Sequence, residues 1–316
     1  MVLSLVLEGA PYILLGAVIS GLIDAYLPSK AMDRLLPRNK YAAVFVAGLM
    51  GAVFPVCECA IVPVIRRLVA KGLPVSCAMT YMLSAPIINP IVALSTYSAF
   101  QVPAGGDASQ PWMMMFSRLI LGYLIAVIVG LGMTRISADK ILRPDVLKQV
   151  NDAKTERNAE PTGKPTGPDD GRKLVLAMRT AQKDFIDVGM YFTIGILIAS
   201  IFKTQIVFQP AMQERIFSVA SNVYVAPLIL MVLAFVLSLC STTDAFVIAA
   251  DSMFLKSAKL AFLVFGPMMD MKLIFLYSTV LQRRVVLMLV VVLALLTWLL
   301  CQAWHPILDP QPIPQK

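Results

Sequence analysis

Apolar residues in this chain come in stretches long enough to cross a bilayer, which takes about 20 residues of helix, separated by short polar loops. Eight such runs are legible: 2–27, 41–65, 74–100, 113–134, 185–202, 223–248, 258–281 and 285–304. The pattern predicts an all-α polytopic membrane protein whose first partner is the lipid bilayer. The first run opens MVLSLVLEGAPY, with no basic n-region and no small-residue cleavage site, and so reads as a retained helix and not a signal peptide.

Composition agrees: 58% of the 316 residues are hydrophobic, well above a soluble domain. The net charge of +8 does not point to nucleic acid, because the basic residues sit in short loops between apolar runs, where they set topology. Lys30, Arg34, Arg38 and Lys40 form one such loop and Arg66, Arg67 and Lys71 another. Both read as cytoplasmic, which places the N-terminus outside and makes 41–65 a re-entrant or broken hairpin, a geometry tolerated only inside protein or beside a water-filled cavity. Run 74–100 then crosses to the loop QVPAGGDASQP and run 113–134 returns.

The chain divides into a first transmembrane repeat at 1–135, a polar cytoplasmic linker at 136–183, a second repeat at 184–305 and a polar tail at 306–316. The linker, rich in Pro, Gly and charge, is expected to be disordered or loosely helical. Glu8-Gly-Ala-Pro-Tyr-Ile-Leu-Leu-Gly16 aligns with Asp187-Val-Gly-Met-Tyr-Phe-Thr-Ile-Gly195. Pro55-Val-Cys57-Glu-Cys59 falls opposite Ser238-Leu-Cys240-Ser-Thr242, and Ser84-Ala-Pro86-Ile-Ile-Asn89 opposite Phe265-Gly-Pro267-Met-Met-Asp270. An odd number of crossings in the first half turns the second upside down. The expectation is two inverted structural repeats of about four membrane segments each, with broken or re-entrant helices at the centre, an arrangement that puts binding sites near the midplane. Arg283 and Arg284 then fall inside, whereas Lys256 and Lys259 fall outside, against the charge rule.

Candidate chemistry concentrates at the interruptions. The five cysteines (57, 59, 77, 240 and 301) lie in or beside apolar runs, unlike a secreted disulfide framework. Cys57 and Cys59, spaced i, i+2, point to one side only in an extended segment, and Pro55 and Pro63 favour a non-helical stretch there. Soft thiolates select Cu(I), Zn or trivalent arsenic, with Cys77 and Cys240 as candidate further ligands; the plain alternative is that each is a small buried hydrophobe. Glu58, Asp244 and Asp270 are intramembrane carboxylates, functional candidates by default, read here as proton carriers or as members of structural ion pairs. Lys272, two residues from Asp270, is expected to pair elsewhere, because i, i+2 side chains do not face each other on a helix. Asn89, between Pro86 and Pro90, is a candidate substrate ligand or a packing kink. The only histidine, His305, lies beyond the last run, which removes His-based metal and haem sites, and no phosphate-binding GxxxxGK[ST] loop is present. No cofactor is expected.

The segments PVCECAIVPVIRRLVAKGLP and LSAPIINPIVALSTYSAF, with the EGAPYILLG opening and FGPMMDMK, resemble the ArsP/YraQ-type bacterial permease family over nearly the whole chain apart from the linker. The resemblance implies a multi-pass permease of the bacterial inner membrane, some of whose relatives export trivalent organoarsenicals or other thiophilic species. It makes the Cys57/Cys59 motif and the Asn89 and Asp270 segments the candidate site; with the thiols and acids read from the residues themselves, Cys57, Glu58, Cys59, Asn89 and Cys240 are the candidate substrate ligands, Asp270, Asp244 and Glu58 the candidates for proton coupling, and Cys57, Cys59 and Cys77 a candidate metal-binding thiol set. The leading expectation is a secondary exporter and not an enzyme. A membrane thiol–disulfide enzyme using Cys57 and Cys59, a passive channel, and a homo-oligomeric state all stay open.

Overall fold

The computed structural model describes residues 2–26, 37, 39–53, 56–101, 110–148, 150–151, 170–207, 222–251 and 254–309. The described residues form helices and connecting turns, with no strand among them. The Lys30, Arg34 and Arg38 loop, Pro55, the outer loop at 102–109 and most of the linker lie outside the described residues, as do the side chains of Glu8 and Tyr12.

The first half comprises α1 (Val2–Tyr26), α2 (Lys40–Val53), α3 (Ile61–Ala70), α4 (Val75–Ser84), α5 (Pro90–Phe100) and α6 (Gln110–Met133). After the short α7 (Ala138–Ile141), the second half gives α8 (Asp170–Val207), α9 (Val225–Leu237), α10 (Thr243–Ala249), α11 (Lys256–Met268), α12 (Met271–Tyr277) and α13 (Arg283–Leu308). Four of the eight apolar runs are therefore split in two. Run 41–65 breaks between α2 and α3, 74–100 between α4 and α5, 223–248 between α9 and α10, and 258–281 between α11 and α12. The same order of long, interrupted, interrupted and long elements occurs in each half. Three helical stretches, Pro111–Met133, Lys256–Tyr277 and Arg283–Leu308, are long and apolar enough to cross a membrane.

Each half packs its second, fourth and sixth helices together: α2 and α6 against α4, and α9 and α13 against α11. The long α1 and α8 run against each other, and α1 carries α3 while α8 carries α12. The halves are further knitted by α5 against α10 and by α6 against α11 and α13. Close approach explains two glycines of the sequence repeat. A methyl group on Gly16 would meet the Cα of Ala60 at 2.7 Å, and one on Gly195 the Cα of Lys272 at 2.8 Å. Each glycine lets a long helix touch the segment that bears the chemistry.

The outward faces are apolar. Leu287, Val291, Leu295 and Leu299 form an exposed i, i+4 stripe on α13, and Met190, Ile194, Leu197 and Ile201 a comparable stripe on α8. Exposed aliphatic stripes on helices of this composition are lipid-facing surfaces.

The linker departs from expectation at both ends. Residues 138–148 and 150 are docked, not loose: Ile141, Leu142, Val146 and Val150 are buried. Arg143 N donates to Val280 O at 2.9 Å, Gln282 N donates to Ile141 O at 3.0 Å, and the Gln282 side-chain amide donates to the Asp139 and Leu142 carbonyls. At the other end α8 starts at Asp170, well before its apolar run. Of Lys256 and Lys259, the residues at odds with the charge rule, Lys259 is taken up by packing. Lys259 is 8% exposed and donates to the Asp251 carbonyl, and the Asp309 carboxylate accepts from Lys256 N and Ser257 N at 3.2 and 3.0 Å, capping α11.

Candidate functional site

The α2–α3 and α9–α10 breaks have the same local chemistry. Cys57 O accepts from Ala60 N and Ile61 N at 3.2 and 3.1 Å, and Cys240 O accepts from Thr243 N and Asp244 N at 3.0 and 2.9 Å. Each cysteine thus opens the turn that nucleates the next helix, as the alignment of Cys57 with Cys240 anticipates. The first break is not the extended segment expected from the CxC spacing: residues 58–60 turn directly into α3, because the Cys57 carbonyl satisfies the first free amides of that helix. The second break is made by Ser238, which ends α9 in the left-handed region at φ 48°. That conformation is costly for a residue with a Cβ. Here it accompanies two backbone carbonyls, of Ser238 and Leu239, turned onto one cation.

That cation is Lys272. Its Nζ donates to Ser238 O at 3.1 Å, Leu239 O at 3.0 Å and Glu58 Oε1 at 3.3 Å. It also lies 3.3 Å from Asp270 Oδ2. The expectation that Lys272 pairs away from Asp270 is therefore half corrected. The i, i+2 argument assumes helix at both residues, whereas Asp270 is the extended N-cap of α12, with φ −137° and ψ 178°. Its Oδ1 accepts from Leu273 N at 2.7 Å.

Asn89 plays the same part in the first half. It caps α5 from an extended conformation, its side chain accepting from Ile91 N at 3.0 Å. Asn89 and Asp270 thus hold the two equivalent proline-linked breaks, one neutral and one charged. Asn89 Oδ1 is engaged by its own helix, as side chains that cap a helix are.

Glu58 joins the halves. Its Oε2 accepts from Ser241 Oγ at 3.1 Å while Oε1 faces Lys272, and the carboxylate is 1% exposed. Beside it, Asp244 is ion-paired to Arg118 of α6, at 3.2 and 3.0 Å from Nη2 to the two carboxylate oxygens. Arg118 also donates to Ser241 O at 2.9 Å and to Thr96 Oγ1 at 2.7 Å. Arg118 and Lys272 are members of the network that spacing in the sequence does not assign, the first outright and the second by role. The signal for Arg118 is its position in an apolar span, where a lone arginine calls for a buried partner.

Cys57, Cys59 and Cys240 lie around this network. Cys57 is within electrostatic reach of Glu58 and Cys240, and Cys59 of Glu58, Cys57, Lys272 and Asp270. Cys77 is not brought to them: it sits in the first turn of α4, at the end remote from the α4–α5 break, and is 1% exposed. Among the described residues no three Cys, Asp, Glu or His side chains converge as a metal position. Cys301 is buried in α13.

A separate cavity of ≈ 220 Å³ lies between α3, α8 and the docked linker, lined by Val62, Pro63, Arg66, Arg143, Asp187 and Tyr191 among others. It is flanked by a second cross-half tie, in which Asp184 accepts from Ser20 Oγ at 2.7 Å and from Arg67 Nη2 at 3.2 Å. Asp187 falls in this cavity and not in the Glu58 network.

A buried ionic network built from both halves at three helix breaks is an arrangement found where polar cargo passes through a membrane protein, and known proteins agree. The model of the ArsP_1 family, described as predicted permease, matches residues 1–304. The UPF0718 protein YcgR of Bacillus subtilis is 33% identical over 290 residues, which cover 91% of this chain and 90% of that protein. A Streptococcus mutans protein with the provisional description of two-component membrane permease complex subunit is 31% identical over 95% of this chain and 92% of its own length. No solved structure matches. The chain belongs to the ArsP_1 permease family and is a multi-pass membrane permease.

Proposed function

We propose that this permease is a secondary exporter of a small thiophilic metalloid or metal species, such as a trivalent organoarsenical, working in the bacterial cytoplasmic membrane. Cargo is held between two inverted repeats and its movement is coupled to protons through the buried carboxylates. The observation that carries the reading is the equivalence of the Cys57 and Cys240 turns. Each sets a thiol beside the Glu58–Lys272–Asp270 network, and Cys59 is the third thiol there. Two or three thiols suit a soft, trivalent centre, and an acid that stays buried in both halves' contact suits proton exchange. Cys77 and Asn89 take lesser parts, the first as packing and the second as the cap that shapes the α4–α5 break. The relative described as a complex subunit supports a search for partner chains.

The test is a metal and metalloid sensitivity panel on a deletion strain carrying wild type, Cys57→Ser, Cys59→Ser, Cys240→Ser or the Cys57→Ser/Cys59→Ser double variant. Resistance to at least one trivalent arsenical that falls in the serine variants is expected. Full resistance in the Cys57→Ser/Cys59→Ser double variant overturns the thiol reading.

A further inference from the structure

Lys272 has three N–H bonds to give, and three acceptors receive them: Glu58 Oε1, Ser238 O and Leu239 O, at 3.3, 3.1 and 3.0 Å. Asp270 Oδ2 lies 3.3 Å from the same nitrogen, yet accepts no hydrogen bond, although the residue is 1% exposed. Two carboxylates therefore compete for one ammonium: Nζ lies 3.3 Å from each, and its hydrogen bond goes to Glu58. The charge count is uneven too. The connected network has three acids, Glu58, Asp244 and Asp270, and two bases, Arg118 and Lys272, all at most 4% exposed. Asp244 is matched by Arg118 at short range, so the excess falls on the Glu58–Lys272–Asp270 triad. An unmatched charge at this depth is costly, and one proton on the triad removes it.

The geometry points to Lys272 as the mobile charge that couples cargo to proton, a role that rests on the thiol-cargo reading above. With the site empty the ammonium stays on Glu58 and Asp270 carries the proton. Cargo bound at Cys57 and Cys240, the thiols within electrostatic reach of each other beside Glu58, draws that carboxylate toward its electropositive centre. The ammonium, already 3.3 Å from Asp270 Oδ2, then turns its N–H from Glu58 to that oxygen, and the Asp270 proton leaves. On the other side of the membrane the steps reverse: a proton arriving at Asp270 returns the ammonium to Glu58 and ejects the cargo. One cargo thus exchanges for one proton. The groups that face Lys272 are Asp270 on its own helix, Glu58 and Cys59 from the first break, and Cys240 from the second; Tyr277 faces Asp270.

The test uses the purified full-length protein and phenylarsine oxide as the probe. This compound condenses with two neutral thiols to give a dithioarsinite and one water, without net proton release or redox change. Infrared difference spectra on adding the probe are expected to show loss of one carboxylic-acid C=O band, with one proton released per bound arsenic. The band should be missing from Asp270→Asn and should persist on binding in Lys272→Met. Probe binding that depends on Cys57 with no change in the acid band overturns the shuttle and leaves the thiol site standing; absence of Cys57-dependent binding overturns both. Vesicle transport gives a second readout. A static charge network would be rescued by the neutral triple variant Glu58→Gln/Lys272→Met/Asp270→Asn, so pH-dependent accumulation in that variant also overturns the proposal, and its loss with probe binding retained supports it.

Discussion

Arg118 Nη2 lies 3.0 Å from Asp244 Oδ2 and 2.9 Å from the Ser241 carbonyl, so one guanidinium on α6 holds both the turn before α10 and the carboxylate inside it. Removing either partner strands a buried charge, at a cost of about 3–5 kcal/mol, whereas removing both can be near neutral. Arg118→Met and Asp244→Leu are each expected to lower the midpoint of thermal unfolding in detergent sharply, and the double variant to recover most of the loss. Additive losses would show that the two side chains do not act as a pair.

Ser238 is the one residue other than glycine with positive φ among the described residues. Ser238→Gly is expected to raise stability by up to about 1 kcal/mol by relieving the left-handed strain. Ser238→Val, with a branched Cβ, should lower it and pull the Ser238 carbonyl off Lys272. Unfolding midpoints of the two variants, measured side by side, check the sign.

Gly16 and Gly195 are a pair in the sequence repeat and in function: each seats a long helix against a reactive segment. Gly16→Ala displaces α1 from Ala60, and Gly195→Ala displaces α8 from Lys272. Both variants should insert and fold but lose transport, and Gly195→Ala should change the pH profile where Gly16→Ala does not. Equal and unaltered transport would show that the contacts are slack.

Asn89 and Asp270 supply the same cap with different charge. Asn89→Asp should fold with a preserved α5 start, while Asn89→Ala should lose about 1 kcal/mol of stability, the ordinary value of an N-cap. Thermal unfolding of the purified variants decides between them.

Gln282 ties the docked linker through its side-chain amide at 2.7 and 3.1 Å. Gln282→Ala is expected to speed amide hydrogen exchange at residues 138–148 and to leave α9–α11 unaltered. Unchanged exchange at 138–148 would mean that the buried Ile141, Leu142 and Val146 suffice.

Much of this was legible in the sequence because prolines and intramembrane acids are conspicuous in an apolar chain. The breaks at Cys57, Asn89, Cys240 and Asp270, and the matching of Cys57 to Cys240, follow from residues that a plain span would not carry. What sequence spacing hides is direction. The rule that kept Lys272 from Asp270 holds on a helix, and a capping residue stands outside it. Arg118 is hidden because a single charge in a long apolar run does not disturb the hydropathy pattern. The linker's buried residues, Ile141 and Leu142 before Pro144 and Val146 and Val150 after it, fall on two short segments, neither long enough to stand out among the charged residues around them. Cys77 drew attention by its chemistry alone; its place in the first turn of α4 separates it from the other thiols.

The docked linker has a consequence for how the molecule can be made. Residues 138–150 belong covalently to the first half but pair with Val280 and Gln282 of the second. Two polypeptides, one ending after residue 151 and the other starting before residue 170, would each keep their side of this joint. Co-expressed in one membrane, they should find each other without a peptide bond between them, the first carrying its own fastener for the second.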